Sequence, residues 1–386
     1  MTDQKRQNPL VNHLKLVGVS VFVAIVAVVA VIGFHILPLP ERIPGTRHLA
    51  RVDLANVRSV AVSPHGNVVV AATDDDIAIY DRVADRIVMR LGLPGALRVS
   101  MHARPLEFSP DGRLLAACFA QDRGRDVVRV WDTRHWTIVK YLEDAGQGHG
   151  CRSIAFSSDS ATLVRVFDRP IANEGPSIVY YATDDWSEIR CGNTAPFYPY
   201  DVRSGSSPRE VWMVGEVVNP QAWNLPGEPP TFGRPAMHNT SVLVGLNRNS
   251  CHIRTSIPLP IDVSPTSSLA ISPDARYADI HGRAGVVRVD LRSREIHQEQ
   301  LALALDRPSS LVHLDQGTRI LEAVYSDHAG YISVRAAVSG QAQFTQHTSA
   351  IAGGISFDAK TLVLGFENHV DLYAVDQAGG LQRRPN

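Results

Sequence analysis

Pro105 to Leu142 reads P-L-E-F-S-P-D-G-R-L-L-A-A-C-F-A-Q-D-R-G-R-D-V-V-R-V-W-D-T-R-H-W-T-I-V-K-Y-L. Four short β segments can be marked in it. Leu106-Phe108 runs into the turn Ser109-Pro110-Asp111-Gly112, and Leu114-Phe119 into a polar loop. Val127-Trp131 alternates apolar and polar residues, and a turn at Asp132-Arg134 leads to Thr137-Leu142. Each segment has the pattern of a buried or half-buried strand, and each gap carries turn chemistry. A single four-stranded sheet cannot bury both of its faces, so this unit needs neighbours of its own kind.

The rest of the chain supplies them. Third-strand segments recur as Ile77-Ala-Ile-Tyr-Asp, Val128-Arg-Val-Trp-Asp, Ile178-Val-Tyr-Tyr-Ala, Val242-Leu-Val-Gly-Leu, Val286-Val-Arg-Val-Asp, Ile332-Ser-Val-Arg-Ala and Val370-Asp-Leu-Tyr-Ala. The turn between first and second strands recurs as Ser63-Pro64-His65-Gly66, Ser157-Ser158-Asp159-Ser160 and Ser272-Pro273-Asp274-Ala275, with a further turn expected near Ser204-Ser207. Repeats of about 40–50 residues with four strands each predict an all-β fold, a β-propeller of seven blades, with eight the alternative if the long interval before Ser272 hides a short unit. His48-Leu54 is expected to complete the last blade by pairing after Val370-Val375. A strand from Gly380-Arg383 is the other candidate for that role.

Phe108-Ser-Pro-Asp-Gly-Arg-Leu-Leu-Ala116 with Val128-Arg-Val-Trp-Asp132 resembles the WD-repeat signature, and Gly148-His149 before Ile154 resembles its Gly-His pair. The best match is this second unit; the other units are equally similar to the YVTN-type propellers. The resemblance implies a propeller from about residue 51 onward. It says little about function, because such propellers host many.

The chain has 386 residues, 44% of them hydrophobic and 20% charged, with a formal net charge of −1. No global field recruits nucleic acid, and basic stripes interleaved with aromatics are missing, so no nucleic-acid partner is expected. Cys118, Cys151, Cys191 and Cys251 lie far apart with no C-x-x-C pair. They read as small buried hydrophobes, or as disulfides if the domain is exported.

Leu16 to Pro40 contains no Asp, Glu, Lys or Arg. Its core, Leu16-Leu37, exceeds the roughly 20 apolar residues that span a bilayer. The expected organisation is therefore a basic tail (1–15), a transmembrane signal-anchor helix (16–37), a Pro-containing spacer (38–47) and a propeller (48–386) with an insertion at 219–240. A cleaved signal peptide is the nearest rival reading. Flanking charge barely decides orientation. A short basic tail before one span places the propeller outside a bacterial cytoplasmic membrane.

Strand alternation puts the second-to-third loops and the inter-blade segments on one face. The long loops there are Ala120-Asp126, Asp168-Ser177 and Asn219-Thr240. Long loops on a rigid frame are where binding is usually placed. Trp223 and Phe232, with Phe197, Tyr198 and Tyr200 on the preceding segment and Arg123, Arg125 and Arg234 nearby, are the candidate protein-binding residues, since aromatics and arginine anchor interfaces.

His281, His328 and His369 are the candidate ligands should a metal be bound, but no two have local ligand spacing, and no metal or other cofactor is expected. No G-x-S-x-G, P-loop or H-E-x-x-H occurs, and no catalytic residue is assigned. The function expected is a non-catalytic protein-interaction scaffold at the cell envelope with membrane or envelope proteins as partners. The alternatives are an exported propeller enzyme of lactonase or hydrolase type, and a structural subunit of a membrane assembly.

Overall fold

Among the described residues, short apolar strands separated by tight turns form antiparallel sheets of four or five strands. The computed structural model describes residues 43, 46–93, 98–99, 105–120, 127–143, 150–167, 178–191, 197–217, 240–264, 267–272, 274–282, 285–300, 309–314, 319–324, 330–336, 342–348, 350–356 and 360–375. They contain strands and turns and no helix.

Strand β1 (Thr46–Asp53) precedes the first sheet, which holds β2 (Ser59–Val62), β3 (Val68–Ala72), β4 (Asp76–Asp81) and β5 (Arg86–Gly92). The second sheet holds β6 (Arg98–Val99), β7 (Leu106–Phe108), β8 (Leu114–Ala120), β9 (Val127–Asp132) and β10 (Thr137–Glu143). The third comprises β11 (Cys151–Phe156), β12 (Thr162–Phe167), β13 (Ile178–Ala182) and β14 (Glu188–Arg190). The fourth comprises β15 (Phe197–Ser204), β16 (Glu210–Val217), β17 (Thr240–Asn247) and β18 (His252–Pro258). In the fifth are β19 (Ser268–Ile271), β20 (Tyr277–Gly282), β21 (Gly285–Asp290) and β22 (Ile296–Gln300). In the sixth are β23 (Ser309–Leu314), β24 (Arg319–Val324), β25 (Gly330–Ala336) and β26 (Ala342–Thr348). The last sheet joins β27 (Ala350–Ile355), β28 (Thr361–Phe366) and β29 (His369–Val375) to β1.

The first strands β2, β7, β11, β15, β19, β23 and β27 touch in succession, and β27 returns to β2. The architecture is that of a β-propeller. Each inner strand is packed on both faces by neighbouring sheets, so β2, β11 and β12 are buried along their whole length. The outer strand β5 has no buried residue and consists of exposed and half-buried ones instead. Separate apolar layers fill the spaces between sheets. One holds Val70, Ile77, Leu115 and Trp131 between the first and second sheets, and another holds Leu163, Cys118 and Val130 between the second and third.

β1 pairs antiparallel with β29 from Thr46↔Val375 to Asp53↔His369. The closing strand is thus the N-terminal one, and it begins two residues before His48, inside the stretch read as spacer. The Arg98–Val99 strand, which pairs with the far end of β8, carries no signal in the sequence. It is two residues long and separated from β7 by six residues. Among the described residues no helix is long and apolar enough to cross a membrane. Leu16-Leu37 lies outside the described residues.

The first-to-second turns of the first, second, third and fifth sheets share one construction. The serine hydroxyl accepts the amide five residues on, as in Leu114 N–H to Ser109 Oγ at 2.9 Å, Thr162 to Ser157 at 3.0 Å and Tyr277 to Ser272 at 2.9 Å. The fourth residue is left-handed: Gly66 at φ 70°, Gly112 at 73°, Ser160 at 61° and Ala275 at 48°. Glycine adopts this conformation without the steric cost that a Cβ imposes. Ala275→Gly is therefore expected to stabilise the protein by about 0.5–1 kcal/mol, the gain being limited by the greater freedom of glycine in the unfolded chain. Ser160 is the poorer choice because its Oγ accepts the Asp111 amide of the adjacent sheet. A denaturation midpoint that falls on Ala275→Gly would refute the argument.

The third-to-fourth turns are equally repetitive. Asp132 Oδ1 accepts the Arg134 amide at 2.7 Å and Asp290 Oδ1 the Arg292 amide at 2.9 Å. The residue four beyond the strand end is left-handed in Asp85, Trp136, Trp186, Cys251 and Arg294. An aspartate in this position satisfies turn amides that would otherwise face solvent or nothing.

Candidate protein-interaction face

The second-to-third connections of the second, third and fourth sheets are the long ones, running from β8 to β9, β12 to β13 and β16 to β17. They leave the same end of three consecutive sheets. The sheets that carry them are joined by covalent and polar contacts. Cys118 of β8 is bonded to Cys151 of β11, and Cys191, just after β14, to Cys251 in the β17–β18 turn. No cysteine is free. The reading of Cys118 as a simple buried hydrophobe is thus corrected: it is buried, but bonded. Its partner lies on the next sheet, 33 residues on, where spacing alone does not reveal it. Each bond restricts the unfolded chain and holds the third sheet to a neighbour.

Asp201 is the polar centre of this region. It is wholly buried on β15. Its Oδ1 accepts the Ser153 hydroxyl from the third sheet at 2.7 Å and Arg203 Nη1 at 2.8 Å. Its Oδ2 accepts Arg203 Nη2 at 2.7 Å and the Leu269 amide of the fifth sheet at 2.8 Å. One carboxylate thereby ties three sheets together. Buried charge of this kind is tolerated only when its lone pairs are filled.

Arginines on strands stack on aromatic rings around the same end. Arg152 lies over Tyr200 at 5.4 Å and Arg165 over Phe167 at 4.3 Å, while Arg165 Nη1 donates to the Leu142 carbonyl at 3.2 Å. Arg129 lies between Phe119 (5.3 Å) and Tyr141 (5.5 Å). Among the described residues no carboxylate contacts it, and its Nε is enclosed without a hydrogen-bond partner. Burial pushes its pKa below the usual arginine value, with Tyr141 opposing. Ring contacts contribute about 0.5–2 kcal/mol each, whereas burying an unpaired ion costs several kcal/mol. Among the described residues the site lacks a counter-charge.

The aromatic and arginine residues singled out in the sequence divide into two groups. Trp223, Phe232, Arg123, Arg125 and Arg234 lie outside the described residues. Phe197, Tyr198 and Tyr200 belong to strand β15 rather than to an inter-blade segment. Phe197 is fully buried and Tyr200 is 3% exposed. The first packs with Val166 and Val217, the second with Trp212 and Leu259. As interface anchors these two are corrected to core residues, because the space between sheets takes up their rings. Tyr198 is half-buried. Arg129 and Asp201 were not singled out. For Arg129 the available signal was a lone arginine in the apolar run V-V-R-V-W, in step with the inward Trp131.

His328 lies outside the described residues. His281 is buried in β20. His369 stacks on Phe366 with ring centroids 4.4 Å apart and reaches Asp371 at 3.5 Å. Asp371 is fully buried, and Arg51 of the closing strand grips it with two hydrogen bonds of 2.7 Å. Burial opposes its ionisation, but the Arg51 hydrogen bonds, helped by His369, outweigh burial and hold the carboxyl far below its usual value. Among the described residues no group of three or more His, Cys, Asp or Glu is placed to hold a metal ion. A recess of about 370 Å³ lies beside the closure, lined by residues that include Asp53, Thr73, Asp76, Arg90 and Asn368. There Asp76 is paired with Arg90 at 2.7 Å.

The WD domain, G-beta repeat, matches residues 48–81. These residues run from the closing strand through β4, so the matched repeat straddles two sheets, and it lies apart from the Phe108–Asp132 stretch that carries the resemblance in the sequence. No curated protein matches the chain. Among solved structures the chain is similar to Kuenenia stuttgartiensis hydrazine synthase, with 13% identity and a TM-score of 0.62 over 86% of this chain and 98% of that one. It is also similar to a chain of a mitotic checkpoint complex (11%, TM-score 0.59, 88% and 94% covered). The β-propeller domain of Myceliophteria thermophila Cps50 (Swd1) is similar at 10%, with a TM-score of 0.62 and 86% and 99% covered. At these identities the likeness concerns the fold alone.

Proposed function

We propose that the chain is a seven-bladed propeller acting as a non-catalytic protein-interaction scaffold at the cell envelope. Leu16-Leu37 anchors it in the membrane, and the propeller stands outside the cytoplasm. The observation that carries this reading is the bonding among the sheets that bear the long loops. Two disulfides link the three loop-bearing sheets in series, and the Asp201 network fastens the third and fourth sheets to the fifth. A rigid platform lowers the ordering cost of docking. Structural disulfides also belong to oxidising compartments, which favours the exported orientation.

The WD-repeat match and the checkpoint-complex likeness fit a protein-binding role. The partners proposed are membrane or envelope proteins. The test is partner capture from detergent-solubilised native membranes, using the intact chain beside one lacking Pro220-Pro235. Specific proteins held by the intact chain and lost on deletion are expected. Identical captures would remove the long-loop face from the reading, and an empty capture by folded protein would remove the scaffold itself. Thiol labelling of the same membrane preparation tests the compartment: labelling is expected only after reduction, and four free thiols would contradict export.

A further inference from the structure

The cleft between the outer strands of the first and second sheets has a composition that the long-loop face does not explain. Arg129 pairs across the ladder with Ala117 and Tyr141 and alternates with Trp131. It therefore faces the first sheet, as do Phe119 and Ile138. From the opposite side Leu91 belongs to the same apolar layer, and Met89, two residues away on β5, points the same way. Arg129 is only 7% exposed, yet Tyr141 on its ring face is 51% exposed and Met89 is 38% exposed. An apolar cleft open to solvent thus has a buried cation in its wall. Among the described residues that cation has no carboxylate partner, and its Nε has no hydrogen-bond partner.

We propose that this cleft receives an extended segment of another protein, placing one carboxylate side chain on Arg129 between apolar side chains that lie on Met89 and Tyr141. Charge complementarity selects the occupant. An apolar segment alone would bury the guanidinium further and leave it unpaired, and a basic one would repel it. A carboxylate completes the site with a charge-assisted, two-point contact that arginine is shaped to make. The proposal rests on the reading of the chain as an interaction module, but it puts this contact on the circumference of the ring.

The probe is a blocked peptide of alternating valine and threonine with one central glutamate, read by fluorescence anisotropy with the intact chain in detergent at low salt. The glutamate peptide is expected to bind about tenfold more tightly than the same peptide with glutamine. Arg129→Gln should reduce that ratio to about one, Arg129→Lys should keep part of it, and Tyr141→Ala should weaken both peptides. The glutamate-to-glutamine exchange alters only the peptide, so it tests the site even if an Arg129 variant folds poorly. Equal binding of both peptides, no binding of either, or a ratio that survives Arg129→Gln would each overturn the proposal. The chain lacking Pro220-Pro235 should keep the ratio. Loss of membrane-protein capture and loss of the peptide ratio therefore report on the two readings separately.

Discussion

Asp201→Ala is expected to lower stability by about 3–5 kcal/mol, the effect of removing one partner of a buried ion pair. The side chain is fully buried and fills five acceptor contacts: Ser153, two with Arg203, and the amides of Val202 and Leu269. Its removal takes from the guanidinium of Arg203, itself 6% exposed, the one counterion it has among the described residues. It also leaves the Leu269 amide without this acceptor. Ser153→Ala removes one neutral donor and should cost about 1 kcal/mol. The ordering of the two variants in urea denaturation is the informative readout. An Asp201→Ala midpoint no lower than that of Ser153→Ala would mean that the three sheets are held by packing and disulfides, and that the carboxylate is incidental. Because the network joins two of the three sheets that bear the long loops, the same variant should also weaken partner capture.

The second large effect concerns the closure of the ring. Arg51→Ala is expected to destabilise the protein by about 3 kcal/mol, because Asp371 would remain buried with its main counter-charge gone. Loss of protection should appear first in the amides of β1 and β29, by hydrogen exchange. The same pair sets an acid limit. The carboxyl of Asp371 ionises far below its usual value in the folded protein, because the Arg51 hydrogen bonds outweigh burial. Its stabilising contribution is then complete above the ordinary aspartate pKa of about 4 and is lost progressively as the pH falls below it. Wild type should therefore lose stability below about pH 4 more steeply than Asp371→Asn, which has no carboxyl to protonate at this position. Parallel acid profiles for the two proteins would show that other carboxylates govern acid unfolding.

Much of the fold is legible one short segment at a time. Val128-Arg-Val-Trp-Asp already displays a strand, by alternation, and a turn, by its aspartate. The structure places that aspartate under the amides of Arg134 and His135. The seven segments of this type all become third strands, in β4, β9, β13, β17, β21, β25 and β29. Ser109-Pro-Asp-Gly likewise announces both its hydroxyl-to-amide bond and its left-handed fourth residue. The choice of the N-terminal strand for closure was also accessible, since Gln382-Asn386 is too polar to make a good rival.

The candidate site was far less legible. Phe197 and Tyr200 look like surface anchors when β15 is mistaken for a connection; once it is the innermost strand, both rings point into the spaces between sheets. Arg129 looks like any strand cation until Phe119 and Tyr141 are seen on either side of it.

By itself the sequence determined the repeat, its turns, and the all-β propeller, because each depends on residues within a few positions of one another. The tertiary structure alone decided which cysteines meet, which sheets Asp201 joins, and that Arg51 closes on Asp371. The last two residues are 320 positions apart. Such contacts depend on the twist of each sheet and the register between neighbours, and no local pattern records where a strand several sheets away will present its side chain.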